Sequence, residues 1–327
     1  MNHVADALDM AGVVDGDAGE GMSIAGFWSR LLAFVIDFVL LGIVSFAIAW
    51  LFPEQVMRLG GWGHWLGMGV VILYFGLMNS RLSHGQTAGK ILMDVRVVDR
   101  DGARLGVRRS LLRTLVFWAP SLAGALSLPA AMSALPWQML LALLVYGGWP
   151  AIIYLYLFNA RTRQSLHDLA TGTLVVREWP ETGAPPQASP WRGHWIALAA
   201  IACLALSVPL MLGRMLQQPQ MQEVVRMLPA VLAEPGVLEA NVGTYVFRMT
   251  GQPPQRSLRA TVRVRDKTYM EKAVAERIYQ RMRRAQPQRV ARERVVVRLW
   301  WGFDLGIAKW NQSHDFVFVG EEAPPTP

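Results

Sequence analysis

From Pro136 to Phe158 the chain carries no charged side chain. A bilayer core about 30 Å thick takes roughly 20 apolar residues to cross as a helix, so this run is long enough to span one. Four more apolar stretches are comparable: Phe27 to about Phe52, Trp62 to Asn79, about Leu111 to Met132 (with Pro120 and Pro129 inside), and about Trp191 to Gly213. Of 327 residues 53% are hydrophobic and 17% charged, where a soluble domain has about 25% charged. Such a chain cannot hide its apolar side chains in one soluble core and still present a charged surface. A bilayer is therefore the solvent for part of it. The sequence predicts a mainly α, polytopic helical membrane protein with a small α+β soluble domain at its C-terminus.

The predicted organisation is an acidic, disordered tail over 1–22, which lacks the positive start of a signal peptide, and a membrane module over 23–178. The module's helices fall at about 27–52, 62–79, 111–133 and 136–158. A linker over 179–190, a fifth membrane helix over 191–213 and a C-terminal domain over 216–327 follow. Lys plus Arg (32) exceed Asp plus Glu (24), for a net charge of +8. Much of that excess sits in two loops. Arg81, Lys90, Arg96, Arg100, Arg104, Arg108 and Arg109 separate the second and third stretches, and Arg161, Arg163, Arg177 and Arg192 the fourth and fifth. Positive-inside bias places both loops and the N-terminus in the cytoplasm. Five crossings then deliver the C-terminal domain to the far side, whereas a fifth stretch that re-enters would leave it in the cytoplasm. Long domains translocate largely regardless of charge, so its arginines are no obstacle.

Within the apolar stretches the rare charges stand out. Arg30 and Asp37 are seven positions apart, which on a helix places them on one face about 10 Å apart along the axis. Asp37 falls near the middle of its span. An ionised, unpaired carboxylate there costs several kcal/mol, so it must be paired, protonated or wet. Two readings are open: a proton or cation site, or a buried polar clasp between helices.

Other motifs argue against an enzyme. His84-Gly-Gln-Thr-Ala-Gly-Lys90 is one residue short of a phosphate loop, and Ile91 stands where a hydroxyl would meet magnesium. It reads as a turn capped by Thr87 or Gln86. His167-Asp168 has no second histidine cluster, and the single Cys203 excludes a disulfide framework. No His-Glu-x-x-His, Gly-x-Ser-x-Gly or dinucleotide fingerprint occurs. No catalytic residue, metal site or cofactor is expected. Met93–Asp99 and Thr173–Val176 read as short strands that would pair, carrying Asp168 toward Arg30.

Three blocks carry a family resemblance: Gly26-Phe-Trp-Ser-Arg30-Leu-Leu-Ala-Phe-Val-Ile-Asp37, Gly85-Gln-Thr-Ala-Gly89-Lys90 followed by Val95-Arg-Val-Val-Asp99, and Ser165-Leu-His-Asp168-Leu-Ala-Thr-Gly172-Thr. Over about 24–178 the chain resembles the RDD family of bacterial membrane proteins, named for one arginine and two aspartates. The resemblance maps these onto Arg30, Asp37 and Asp168. For some members it implies transport of solutes or sodium/proton exchange. From it follows a polar cluster in which Arg30 bonds Asp168 while Asp37 takes Arg113 or a polar residue of another helix. Lys90, Thr87 and His167 are secondary members of this cluster.

The C-terminal domain reads from its patterns. Arg259–Asp266 alternates as a half-buried strand, and Met270, Val274, Ile278 and Met282 mark a helix face ending before Pro287. Arg294–Trp301 and Asp315–Val319 read as further strands. Its arginines read as a solvated face or as a surface for anionic lipid headgroups, an acidic partner or nucleic acid, the last requiring a cytoplasmic domain. Two functions are expected: transport of a small solute or cation with Asp37 as the ionisable site, or a non-catalytic scaffold whose C-terminal domain binds an envelope partner. The bilayer is the first partner, a homo-oligomer is admitted, and nucleic acid is not.

Overall fold

A computed structural model describes residues 22–126, 135–177, 185, 189–247 and 255–321. The acidic tail up to residue 21, the region around Pro129, most of the linker and the Pro- and Glu-rich end lie outside the described residues. The chain divides into two compact units, 1–48 with 64–210 and 49–63 with 211–327.

The first unit is helical. α1 (Phe27–Leu51) is followed, after a segment belonging to the other unit, by α3 (Trp62–Met78) and the short α4 (Ala88–Leu92). Then come β1 (Val95–Asp99), α5 (Val107–Gly124), α6 (Leu135–Ala142), a π-helical turn (Leu143–Gly148), α7 (Trp149–Phe158), α8 (Leu166–Thr171), β2 (Thr173–Arg177) and α9 (Gly193–Leu216). Among the described residues three helical runs are long and apolar enough to cross a membrane: α1, Pro136–Phe158 and α9. The protein is a multi-pass membrane protein. α3 has 17 residues, about 25 Å at 1.5 Å per residue, and is shorter than the ~30 Å core. α5 starts at Val107 rather than Leu111, and so takes Arg108 and Arg109 into its first turn.

Pro120 does not end α5. The helix runs through it to Gly124, and its ring packs on the π-helical turn. A Cβ at Gly148 would lie 2.6 Å from Pro120 Cγ, so glycine is what lets the two helices meet. The π turn widens the helix at that contact, as such bulges do.

β1 and β2 pair antiparallel with Val97 opposite Val175. The chain just before α1 runs along the other edge of β2, since Ala25 N–H donates to Val175 O and Arg177 N–H to Ser23 O. Ala25, Ala33, Val95, Val97, Leu105 and Val175 form the buried contact beneath this ladder. The pairing brings Arg30, four residues into α1, close to α8.

The second unit contains α2 (Pro53–Arg58), α10 (Pro219–Leu232), β3 (Val237–Phe247), β4 (Gln255–Val264), α11 (Lys272–Ala285), α12 (Pro287–Arg292), β5 (Arg294–Asp304) and β6 (Lys309–Val319). It is an α+β domain. The strands lie in the order β3-β4-β5-β6, with β4 and β5 parallel and the other neighbours antiparallel. A parallel pair needs a crossover, and α11 with α12 supplies it. Leu258, Ala260, Val262 and Val264 alternate inward along β4 and meet Ile278 and Met282 of α11 and Met227 and Val231 of α10. Pro287 opens α12 at its first turn, where its missing N–H costs nothing. α2 is part of this domain: Val56 is buried with Ala49, Phe303, Leu305 and Ala308.

Candidate functional site

α8 is a six-residue helix whose position is fixed by its acid. Asp168 accepts from Ser165 N–H at 3.2 Å, which caps the helix start, and from Thr173 Oγ1 at 3.1 Å. Two guanidiniums complete its shell. Arg30 Nη2 donates at 2.8 Å, and Arg113 donates through Nη2 at 2.7 Å and Nε at 3.0 Å. Arg30 also donates to the carbonyl of Arg163, and its guanidinium lies over the Tyr156 ring. Asp168 is fully buried, and both arginines nearly so. Burial alone would raise its pKa, but Arg113 and Arg30 overcome that and hold the carboxyl well below the usual range. The acid is ionised, and two positive charges share one negative.

Arg113 is therefore the partner of Asp168 and not of Asp37. Of the two partners expected for Asp37, Arg113 and a polar residue of another helix, the second is seen, since Asp168 already occupies Nε and Nη2 of Arg113. Asp37 instead accepts from three uncharged donors, Tyr74 Oη at 2.8 Å, Gly89 N–H at 2.8 Å and Thr87 Oγ1. Thr87 is the N-cap of α4, so its hydroxyl accepts from Lys90 N–H while donating to Asp37. The block His84–Lys90, read as a turn capped by Thr87 or Gln86, is capped by Thr87 and folds back against α1. Gly89 makes this approach feasible, because a Cβ there would stand 2.0 Å from the Ala33 carbonyl oxygen. Gly85, at φ 78°, is also close to backbone: a Cβ there would stand 2.5 Å from Val97 O.

Between these two acids the helices leave a cavity of about 340 Å³. Its walls are apolar and aromatic, including Phe34, Phe75, Phe117, Trp118, Trp149 and Ile152. Arg30, Asp37, Asn79, Lys90, Arg113 and His167 also line it. Lys90 donates to Asn79 Oδ1. Burial and the Arg113 charge hold the lysine well below its usual pKa. Burial lowers His167 to about 3, leaving the ring neutral. Its face packs edge-on to Phe117, 5.0 Å between centroids, and its Nδ1 is buried without a hydrogen-bond partner. Among the described residues no group of three His, Cys, Asp or Glu side chains is placed to hold a metal ion.

The three residues of the resemblance thus stand in two buried polar centres on one helical frame. Residues 24–172 match the model of the RDD family. This segment is an RDD family domain. The chain is also 26% identical over 161 residues to YckC, an uncharacterized protein of Bacillus subtilis (strain 168), an alignment covering 48% of this chain and 86% of that one. No solved structure matches the chain significantly, and the C-terminal domain is not assigned to a family.

Arg30, Asp37, Lys90, Arg113 and Asp168 all fall inside the RDD domain, and so do Thr87 and His167. Sequence reasoning missed Tyr74, Asn79 and Thr173. The available signal was that Tyr74 and Asn79 are polar side chains within or ending the second apolar stretch, where each must find a partner.

Proposed function

We propose that this protein is a non-catalytic scaffold of the bacterial inner membrane. In this reading the RDD domain anchors the chain, and the C-terminal domain engages a protein partner in the envelope. One observation carries the reading: both buried carboxylates are saturated by donors fixed in the fold. Asp37 holds three uncharged donors and Asp168 two guanidiniums, a hydroxyl and a backbone N–H. Groups bound in this way lock helices together. A carrier's ionisable site, in contrast, must release one set of partners to take another.

The topology that goes with this reading has the N-terminus in the cytoplasm and the C-terminal domain in the periplasm. Arginines gather in 81–109 and 161–177, which supports a cytoplasmic position for those loops. The loop between α1 and α3 belongs, over 49–63, to the same compact unit as 211–327. That supports one side of the membrane for both.

A second reading, transport of a small solute, is favoured by the cavity beside Arg30, Asp37, Lys90 and Arg113. The cation version suits it less, because three basic side chains face that space against one lining acid. Flux assays on proteoliposomes separate the readings. The scaffold predicts no protein-dependent proton or sodium flux from the wild type, and loss of the cellular phenotype on deletion of 216–327. Flux that disappears in Asp37→Asn, in a protein that still inserts and stays monodisperse, would establish transport instead.

A further inference from the structure

The cavity of the RDD domain has features that neither anchoring nor helix locking requires. We propose that it binds an amphiphilic anion: a single apolar chain ending in a carboxylate or phosphate. The proposal is independent of the scaffold reading.

Charge gives the sign of the ligand. The cavity and the acid behind it bring together Arg30, Lys90 and Arg113 against Asp37 and Asp168. Three basic groups stand against two acids, so one base has no acid of its own. Asp37 is already surrounded by hydrogen-bond donors, and Asp168 is spent on the two arginines. That leaves Lys90, which has only the amide oxygen of Asn79 as a side-chain partner among the described residues. Burial and the neighbouring guanidiniums disfavour its charge. An anion entering the cavity would restore that charge, a gain unavailable to a cation or a neutral solute.

His167 is an independent sign of a ligand. Its side chain is more than nine-tenths buried, it lines the same cavity, and its Nδ1 has no partner. Native interiors rarely leave such an atom unsatisfied. Nε2 of the neutral ring lies 3.6 Å from Asp168 Oδ1, which leaves Nδ1 as an acceptor that a hydroxyl or a protonated oxygen of the head group would meet.

The walls indicate the rest of the molecule. Most of the lining is apolar, with Phe27, Leu31, Phe34, Phe117, Trp118 and Trp149 among it. A volume of about 340 Å³ sits at the lower end of ligand sites, which run roughly 300–1,000 Å³. Two lining residues of α7, Ile153 and Leu157, are themselves more than half exposed. They lie in a membrane-spanning run, so the wall they form opens toward lipid. A chain entering from the bilayer passes from one apolar medium to another while its head reaches Lys90. A small water-soluble anion has no use for these walls.

The test uses the full-length protein in nanodiscs of phosphatidylcholine and measures binding of radiolabelled palmitate. Expected is saturable binding at one site per chain, displaced by lysophosphatidate, with hexadecanol and octanoate each at least 10-fold weaker. Hexadecyltrimethylammonium should not compete. Lys90→Gln should weaken palmitate about 10-fold, the loss of ~1.4 kcal/mol. Ile153→Trp, which narrows the lipid-facing wall at an exposed position and so should still fold, should weaken it at least as much. Displacement by lysophosphatidate alone, with palmitate poor, still supports the proposal and selects a phosphate head. It is overturned if binding is not saturable, if octanoate binds as well as palmitate, if the cationic amphiphile competes equally, or if both folded variants bind like wild type.

Discussion

At the scale of single residues the two acids are held in different ways, and substitution should tell them apart. Asp168→Asn leaves two buried guanidiniums with no counter-charge, and breaking a buried pair from one side costs about 3–5 kcal/mol. Tyr74→Phe removes one neutral donor of three from Asp37, which should cost only about 1 kcal/mol. Thermal loss of the monodisperse protein in detergent should therefore come far earlier for Asp168→Asn. Exchanging the charges of Arg30 and Asp168 should not restore stability, because an arginine at 168 would face Arg113 at close range. His167 adds a pH dependence. Its folded pKa of about 3 lies below the ordinary 6.5, so the unfolded chain takes up a proton that the folded one refuses. Stability then falls as pH drops from 6.5 toward 3, by up to ~1.4 kcal/mol per unit. The depressed pKa of Asp168 acts in the same direction below the carboxylate range. His167→Phe should flatten the fall between pH 6 and 5 in the same melting assay. Much of this chemistry was legible beforehand. Arg30, Asp37 and Asp168 were visible as charges that an apolar background must explain. The partners of Asp37 were not, because Thr87 and Gly89 lie in a polar segment whose sequence gives no sign that it folds back onto α1.

At the scale of elements, the contact between α4 and α1 depends on the absence of a side chain. Gly89→Ala places a methyl group against the Ala33 carbonyl, with backbone on both sides and no flexible group to yield. α4 must move away, and the Gly89 N–H and Thr87 bonds to Asp37 go with it. The expected result is a destabilisation exceeding that of Tyr74→Phe, measured by the same thermal assay, although alanine is the better helix former. A result near neutral would mean that α4 is not clamped to α1. The elements themselves were unequally readable. β4 and α11 announce themselves by strict periods, and the apolar stretches by length. α10 does not, since Pro219 and Pro229 mask the face formed by Val224, Met227 and Val231. β3 is harder still: it is an edge strand whose partly exposed residues follow no clean alternation. The start of α5 was misplaced by one turn because Arg108 and Arg109 look like loop until Thr171 O and Gly172 O are seen to accept from Arg109.

At the scale of the whole molecule, chain connectivity constrains sidedness more than charge does. Ala49–Gly63 interrupts the RDD domain between α1 and α3, yet it belongs to the compact unit of the C-terminal domain, with Val56 in its core. A loop on one face of the bilayer cannot share a hydrophobic core with a domain on the other face. Whatever side 53–58 occupies, the C-terminal domain must occupy it too, which requires an even number of crossings from α3 through α9. The native Cys203 is exposed on α9 and is first replaced by serine. Single cysteines then go in at Arg58, Lys309 and Asp101, all exposed positions. In intact cells with a permeable outer membrane, an impermeant maleimide should label the cysteines at 58 and 309. The cysteine at 101 should react only after the inner membrane is opened. Labelling of 309 together with 101 would place the C-terminal domain in the cytoplasm and exclude the envelope partner. Labelling of 58 without 309 would be incompatible with the shared core itself.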